Sequence, residues 1–64
     1  MMINLTNNDL KIIKENLLFE LLNGGGVIDN TYSYNLYKLL QKLDKYDIQN
    51  SVKVDWSCFD VYMS

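Results

Sequence analysis

Apolar residues recur at helical spacing twice along this chain and alternate with polar ones once. Leu10, Ile13, Leu17 and Leu21 fall on one face at three- and four-residue steps, with Leu18 and Leu22 at its flank, and predict a helix over about 7–22. Thr6 and Asp9 have the spacing of a capping box at its start, and Leu5 and Leu10 that of a hydrophobic staple. Asn23 and Gly24 supply the stop, Gly24 being suited to the left-handed position after a helix. Tyr32, Leu36, Leu39, Leu40, Leu43 and Tyr46 share a second helical face and predict a helix over about 32–47. Asp29, Asn30, Thr31 and Ser33 are its candidate caps.

Val52 to Cys58 then alternates with the period of a half-buried strand, and the phase flips at Phe59, where a bulge would restore one buried face. No Asn-Gly or Asp-Gly turn follows, so the strand needs a partner from elsewhere: Val27-Ile28, the Met1–Leu5 segment, or a second chain. The pattern therefore predicts a single α+β domain over residues 1–64, two antiparallel helices packed with a short C-terminal strand. Leu10, Ile13, Leu17 and Leu21 are expected to be the most buried residues of the first helix, meeting Leu36, Leu40 and Leu43 of the second.

Several residues are left over by this core. Ile12 and Phe19 stack on a second stripe of the first helix, to be covered by the chain's own elements or by a second copy in self-association. The opposite face of the second helix gathers Tyr34, Lys38, Gln41, Lys42 and Lys45, a solvated face or, in the alternative reading, a nucleic-acid contact. Gly24-Gly25-Gly26 follows a helix C-terminus, the negative end of the dipole, and reads as a helix exit instead of a phosphate cradle.

Composition narrows the chemistry. The 64 residues contain no His, Arg, Ala or Pro and a single cysteine, so neither an internal disulfide nor an ordinary zinc site is available. A core of this size supplies roughly 3–5 kcal/mol, which makes help from a partner or second copy valuable. Cys58 has no histidine to activate it and reads as a buried structural thiol. Asp44 and Asp47 read as ordinary helix-end charges beside Lys45. The sequence thus predicts no catalytic residues, no metal and no cofactor, and the protein is expected not to be an enzyme. A net charge of −2 has the wrong sign for general nucleic-acid binding. The opening residues carry no basic region or cleavage site and no stretch spans a membrane, so a cytoplasmic location is expected.

Eight asparagines, six lysines and five tyrosines in a short acidic chain, opening on the Leu5-Thr6 helix start, give it a particular look. In size and composition, over its whole length and without a shared motif, it resembles the small accessory proteins of bacteriophages and mobile elements. Within that group it resembles the anti-defence inhibitors, anti-CRISPR proteins among them. The resemblance implies a viral protein that binds a host protein stoichiometrically in the host cytoplasm and blocks its nucleic-acid site. The residues themselves offer a contact group in Trp56, Tyr62, Asp55 and Asp60: large rings suited to interface hot spots, with carboxylates suited to a basic surface. Trp56 has a second reading as core.

Overall fold

A computed structural model describes residues 4–63. The first helix, α1, spans Asn7–Asn23. Its capping box forms as the spacing predicts: the Asp9 N–H donates to Thr6 Oγ1 at 3.1 Å and the Thr6 N–H donates to Asp9 Oδ2 at 2.9 Å. That second bond holds the Asp9 carboxyl below its ordinary pKa. At the other end Gly25, not Gly24, takes the left-handed conformation, with φ at 82°. The Gly25 N–H donates to Leu22 O and the Gly26 N–H to Leu21 O, the two bonds of a Schellman ending.

The exit leads directly into β1, Val27–Ile28. The second helix, α2, follows at Thr31–Tyr46. Of the four candidate caps Asn30 is the one used, in a reciprocal pair with Ser33. Opposite ends of the two helices meet. Leu10 near the start of α1 lines a cleft with Leu43 and Tyr46, and Leu21 near its end lines another with Ser33 and Leu36. The helices are therefore antiparallel, as predicted.

Lys14 departs most from the sequence reading. It is 0% exposed, while Ile13 and Leu17, expected among the most buried residues, are only half-buried. Its ammonium has three protons and three acceptors: Asp44 Oδ1 at 2.8 Å, Asp47 Oδ2 at 2.7 Å and the Val52 carbonyl at 2.8 Å. Asp44 and Asp47 are thus not ordinary helix-end charges. Asp47 also accepts from the N–H groups of Ser51 and Val52 and from the Ser51 hydroxyl, which shapes the loop leaving α2. Asn50 turns that loop with a φ of 51°, a conformation asparagine tolerates.

The expected strand over 52–58 does not form. Val52 is held by Asp47 and Lys14, and the Asp55 side chain accepts from the Ser57 N–H at 3.1 Å, starting one 3-10 turn at Trp56–Cys58. This turn makes the phase change for which a bulge was expected, and it drives Phe59 into the core. The strand, β2, is Asp60–Val61 and runs parallel to β1, with Val27 opposite Asp60 and Ile28 opposite Val61. Its partner among the described residues is Val27–Ile28; of the N-terminal segment, Met1–Ile3 lie outside them. Parallel strands need a long crossover, and α2 provides it. Leu21, Ile28, Leu40 and Phe59 form the buried centre, with Tyr34, Tyr37 and Trp56 packed against it.

Gly26 sits where this layer meets α1. Its carbonyl accepts from the Asp60 N–H at 2.9 Å, its φ is 74°, and a Cβ there would lie 2.5 Å from the Cys58 carbonyl oxygen. Gly25 shares the left-handed backbone but faces open space. Gly25→Ala is expected to cost only the backbone strain, about 1–2 kcal/mol. Gly26→Ala adds a clash with backbone and should cost clearly more, read as the difference in urea midpoints between the two variants. Equal midpoints would contradict the packing of β2 over the helix exit.

Candidate interaction surface

The α2 stripe that the sequence assigns to the core divides in two. Leu40 is fully buried and Leu36 and Leu43 are half-buried, but Tyr32, Leu39 and Tyr46 stand 63%, 43% and 71% exposed. The cause is where the C-terminal segment goes. It packs on the side of α2 that carries Tyr34 and Tyr37, which helical projection places nearly opposite Leu39. No further element among the described residues reaches the outer side, so the Tyr32/Leu39/Tyr46 stripe is left uncovered. The half-buried Ile13 and Leu17 continue the same face on α1. The face ends in two clefts of about 450 and 440 Å³, one holding Glu20, Tyr32 and Leu36, the other Leu5, Leu10 and Tyr46.

The C-terminal contact group is only partly brought together. Trp56 is half-buried, its ring 5.7 Å from that of Tyr37 in an edge-on arrangement and 5.9 Å from that of Phe59. Tyr62 is 74% exposed just past β2, and Asp60 is exposed two residues before it, on the same face of the chain by strand alternation. Asp55 is exposed but engaged: hydrogen bonds from the Ser57 hydroxyl, the Cys58 thiol and the Ser57 N–H hold its carboxyl below its ordinary pKa. Cys58 is exposed, not buried as expected, because the 3-10 turn aims it outward at Asp55 Oδ2, 3.3 Å away. That hydrogen bond, with lesser help from burial and the Asp55 charge, pushes the thiol pKa up and leaves less of the nucleophilic thiolate.

On the lysine face, Lys38, Lys42 and Lys45 are exposed, while Tyr34 is half-buried in the core layer with the Lys38 ammonium 5.9 Å from its ring centroid. Ile12 is exposed and Phe19 is 73% exposed, on the far side of α1 from α2, and no element among the described residues covers them. The described residues contain no group of three His, Cys, Asp or Glu side chains close enough to hold a metal ion, and no helix long and apolar enough to cross a membrane.

The buried cation was missed, although a signal for it exists. Leu10, Lys14, Leu17 and Leu21 step by four, three and four, so Lys14 occupies a core position in the apolar row. The uncovered stripe has no such signal, because periodicity marks an apolar face without saying what lies against it.

Trp56 separates packing from recognition. Removing its ring takes an edge contact from Tyr37 and one wall from Phe59. Trp56→Ala is expected to cost about 2–4 kcal/mol and to lower the melting midpoint strongly, whereas Tyr62→Ala should leave it near wild type. A Trp56→Ala protein with an unchanged midpoint would overturn the aromatic cluster. In comparison with known proteins, the chain matches no family model, no curated protein and no solved structure, so its functional reading rests on these surfaces.

Proposed function

We propose that the protein works by binding, as a stoichiometric inhibitor of another protein, in the manner of the small phage-type anti-defence proteins it resembles. The observation that carries this reading is the balance of apolar residues: six hydrophobic side chains are buried and ten large ones are exposed among the described residues. Single exposed apolar residues are ordinary, but grouped apolar surface on so small a chain marks places where other molecules sit. The acid–base groups support the same reading. The most perturbed of them, Asp47, is spent on the Lys14 ammonium inside the fold.

The contact group for the inhibited protein is Tyr62 with Asp60 and Asp55, the exposed part of Trp56 completing it. Its chemistry suits a basic groove of a nucleic-acid-handling host enzyme: a ring to be desolvated at the centre and carboxylates that speed encounter with positive charge. The site of action is the host cytoplasm. The alternative, a regulator touching nucleic acid through Tyr34, Lys38, Lys42 and Lys45, draws on three exposed lysines of α2 but has no arginine for bidentate phosphate contacts.

The test compares wild type with the Tyr62→Ala/Asp60→Lys variant. Both positions are exposed, so the fold should persist by circular dichroism. Capture of a bacterial target from lysate, followed by titration with the purified target, is expected to give a saturable complex that the variant weakens at least about thirtyfold, the loss of a hot spot. On immobilised DNA at low salt, wild type should flow through. Retention on DNA that Lys42→Glu abolishes would replace this reading with the nucleic-acid one.

A further inference from the structure

The uncovered two-helix face carries charge in an order that specifies what covers it. Its apolar centre is Leu39, Tyr32 and Tyr46 of α2 with Ile13 and Leu17 of α1. On the α1 side, helical projection places Glu20 and Asp9 at the rim, next to Leu17 and Ile13. Both ends are anchored: the Tyr32 hydroxyl reaches Glu20 Oε1 at 3.5 Å, and Asp9 is held in the capping box. On the α2 side the rim is Lys42, with Lys38 and Lys45 beyond it, all exposed. One long edge of the face is therefore acidic and the other basic.

We infer that this face is the interface of a two-fold dimer of the chain, with α1 of each copy lying antiparallel along α2 of the other. A two-fold axis can bring two such faces together in two ways with the helices aligned. Setting α1 on α1 puts Glu20 and Asp9 against their own counterparts and Lys42 against Lys42, which is repulsive along both edges. Setting α1 on α2 puts the acidic edge of each copy on the basic edge of the other, twice over. The register agrees with this second arrangement. The Lys14 pairings with Asp44 and Asp47 fix the alignment of the antiparallel helices. With that alignment Glu20 lies level with Lys38 of the other copy, and Asp9 lies about one turn beyond its Lys45. The result is an up-and-down four-helix arrangement, with the sheet and aromatic layers on its two outer sides.

The size is also adequate. A standard stable interface takes about 800 Å² from each partner, roughly one sixth of the 4872 Å² surface of this chain. The molecule extends 32 × 26 × 18 Å, so a face two helices wide can supply it. Phe19 falls outside this interface, on the side of α1 away from α2, while Ile12 borders its acidic edge in a shallow cleft with Asp9 and Ile13. The dimer also leaves the Asp60/Tyr62 group clear, and it stands independently of the proposed inhibitor function.

Sedimentation equilibrium of the pure protein tests the inference. Wild type is expected to be a dimer at micromolar concentration, and Leu39→Asp to raise the dissociation constant at least about a hundredfold, since symmetry counts each substitution twice. Glu20→Lys should weaken the dimer at least about tenfold, and the Glu20→Lys/Lys38→Glu double variant should recover most of that loss, because it re-forms the pair with its charges exchanged. Phe19→Asp should leave the association unchanged. Circular dichroism and melting of each variant separate dissociation from unfolding, and the charge pair, being on the surface, keeps the test open if Leu39→Asp fails to fold. A monomer at high micromolar concentration, a dimer broken by Phe19→Asp but not by Leu39→Asp, or a double variant weaker than Glu20→Lys would each overturn it.

Discussion

The ammonium of Lys14 holds together three stretches that are far apart in sequence. It leaves α1 at its midpoint, meets Asp44 and Asp47 at the end of α2, and donates its remaining proton to Val52 at the start of the C-terminal segment. A chain this short, with a single cysteine and no histidine, gains from such a cross-link. A buried charge is ordinarily a poor source of stability, because desolvation opposes the ion-pair attraction. Here every proton of the ammonium is matched, and no buried side-chain polar atom among the described residues lacks a partner. Its value lies in specificity. Only one register of α1 on α2 puts a cation beside both carboxylates, and any slip would leave the buried Lys14 and Asp47 charges unmatched.

That register decides the surfaces. With Lys14 fixed on the ends of α2 and Val52, the following residues cross to the Tyr34/Tyr37 side, where the Asp55 turn delivers Phe59 to the core and β2 to β1. Gly26 permits this closure because its missing Cβ leaves room for the Cys58 carbonyl. One side of the helix pair is then covered, and among the described residues no element is left to cover the other. The exposed Tyr32, Leu39 and Tyr46 are therefore a consequence of how the core closes.

Local chemistry was readable from the sequence and distant partnership was not. The Thr6–Asp9 capping box, both helices and the apolar row through Leu10 and Leu21 follow from neighbours three or four residues apart. The buried pairing of Lys14 could not be read locally, because its partners lie thirty and more positions away. The alternation of Val52 to Cys58 suggested a strand, yet side chains of Asp47 and Asp55 captured the backbone at both ends and turned it into a loop and a 3-10 turn. Of the residues picked out for contact, Tyr62, Asp60 and the lysines stand at the surface, while Trp56 is tied by its ring to Tyr37 and Phe59. An aromatic residue on an apolar segment suits either place, and only the path of the chain around it decides.

Whether the buried lysine fixes the fold is tested by the unfolding free energy against pH of wild type and Lys14→Met. The hydrogen bond from Lys14 holds the Asp47 carboxyl well below the usual carboxylate range despite the opposing effect of burial, with further help from Ser51 and Val52. Its contribution is present above the unfolded value of about 3.9 and is lost as pH falls below it. For Lys14, burial alone would lower the pKa, but the hydrogen bonds and charges of Asp44 and Asp47 outweigh it and raise it. That contribution is full below the unfolded value of about 10.4 and is lost as pH rises through the folded one. Wild type is expected to show a plateau between these limits with a falling limb at each end, and Lys14→Met to lie lower by about 3–5 kcal/mol at neutral pH. A Lys14→Met protein with wild-type stability and the same two limbs would contradict this role of Lys14.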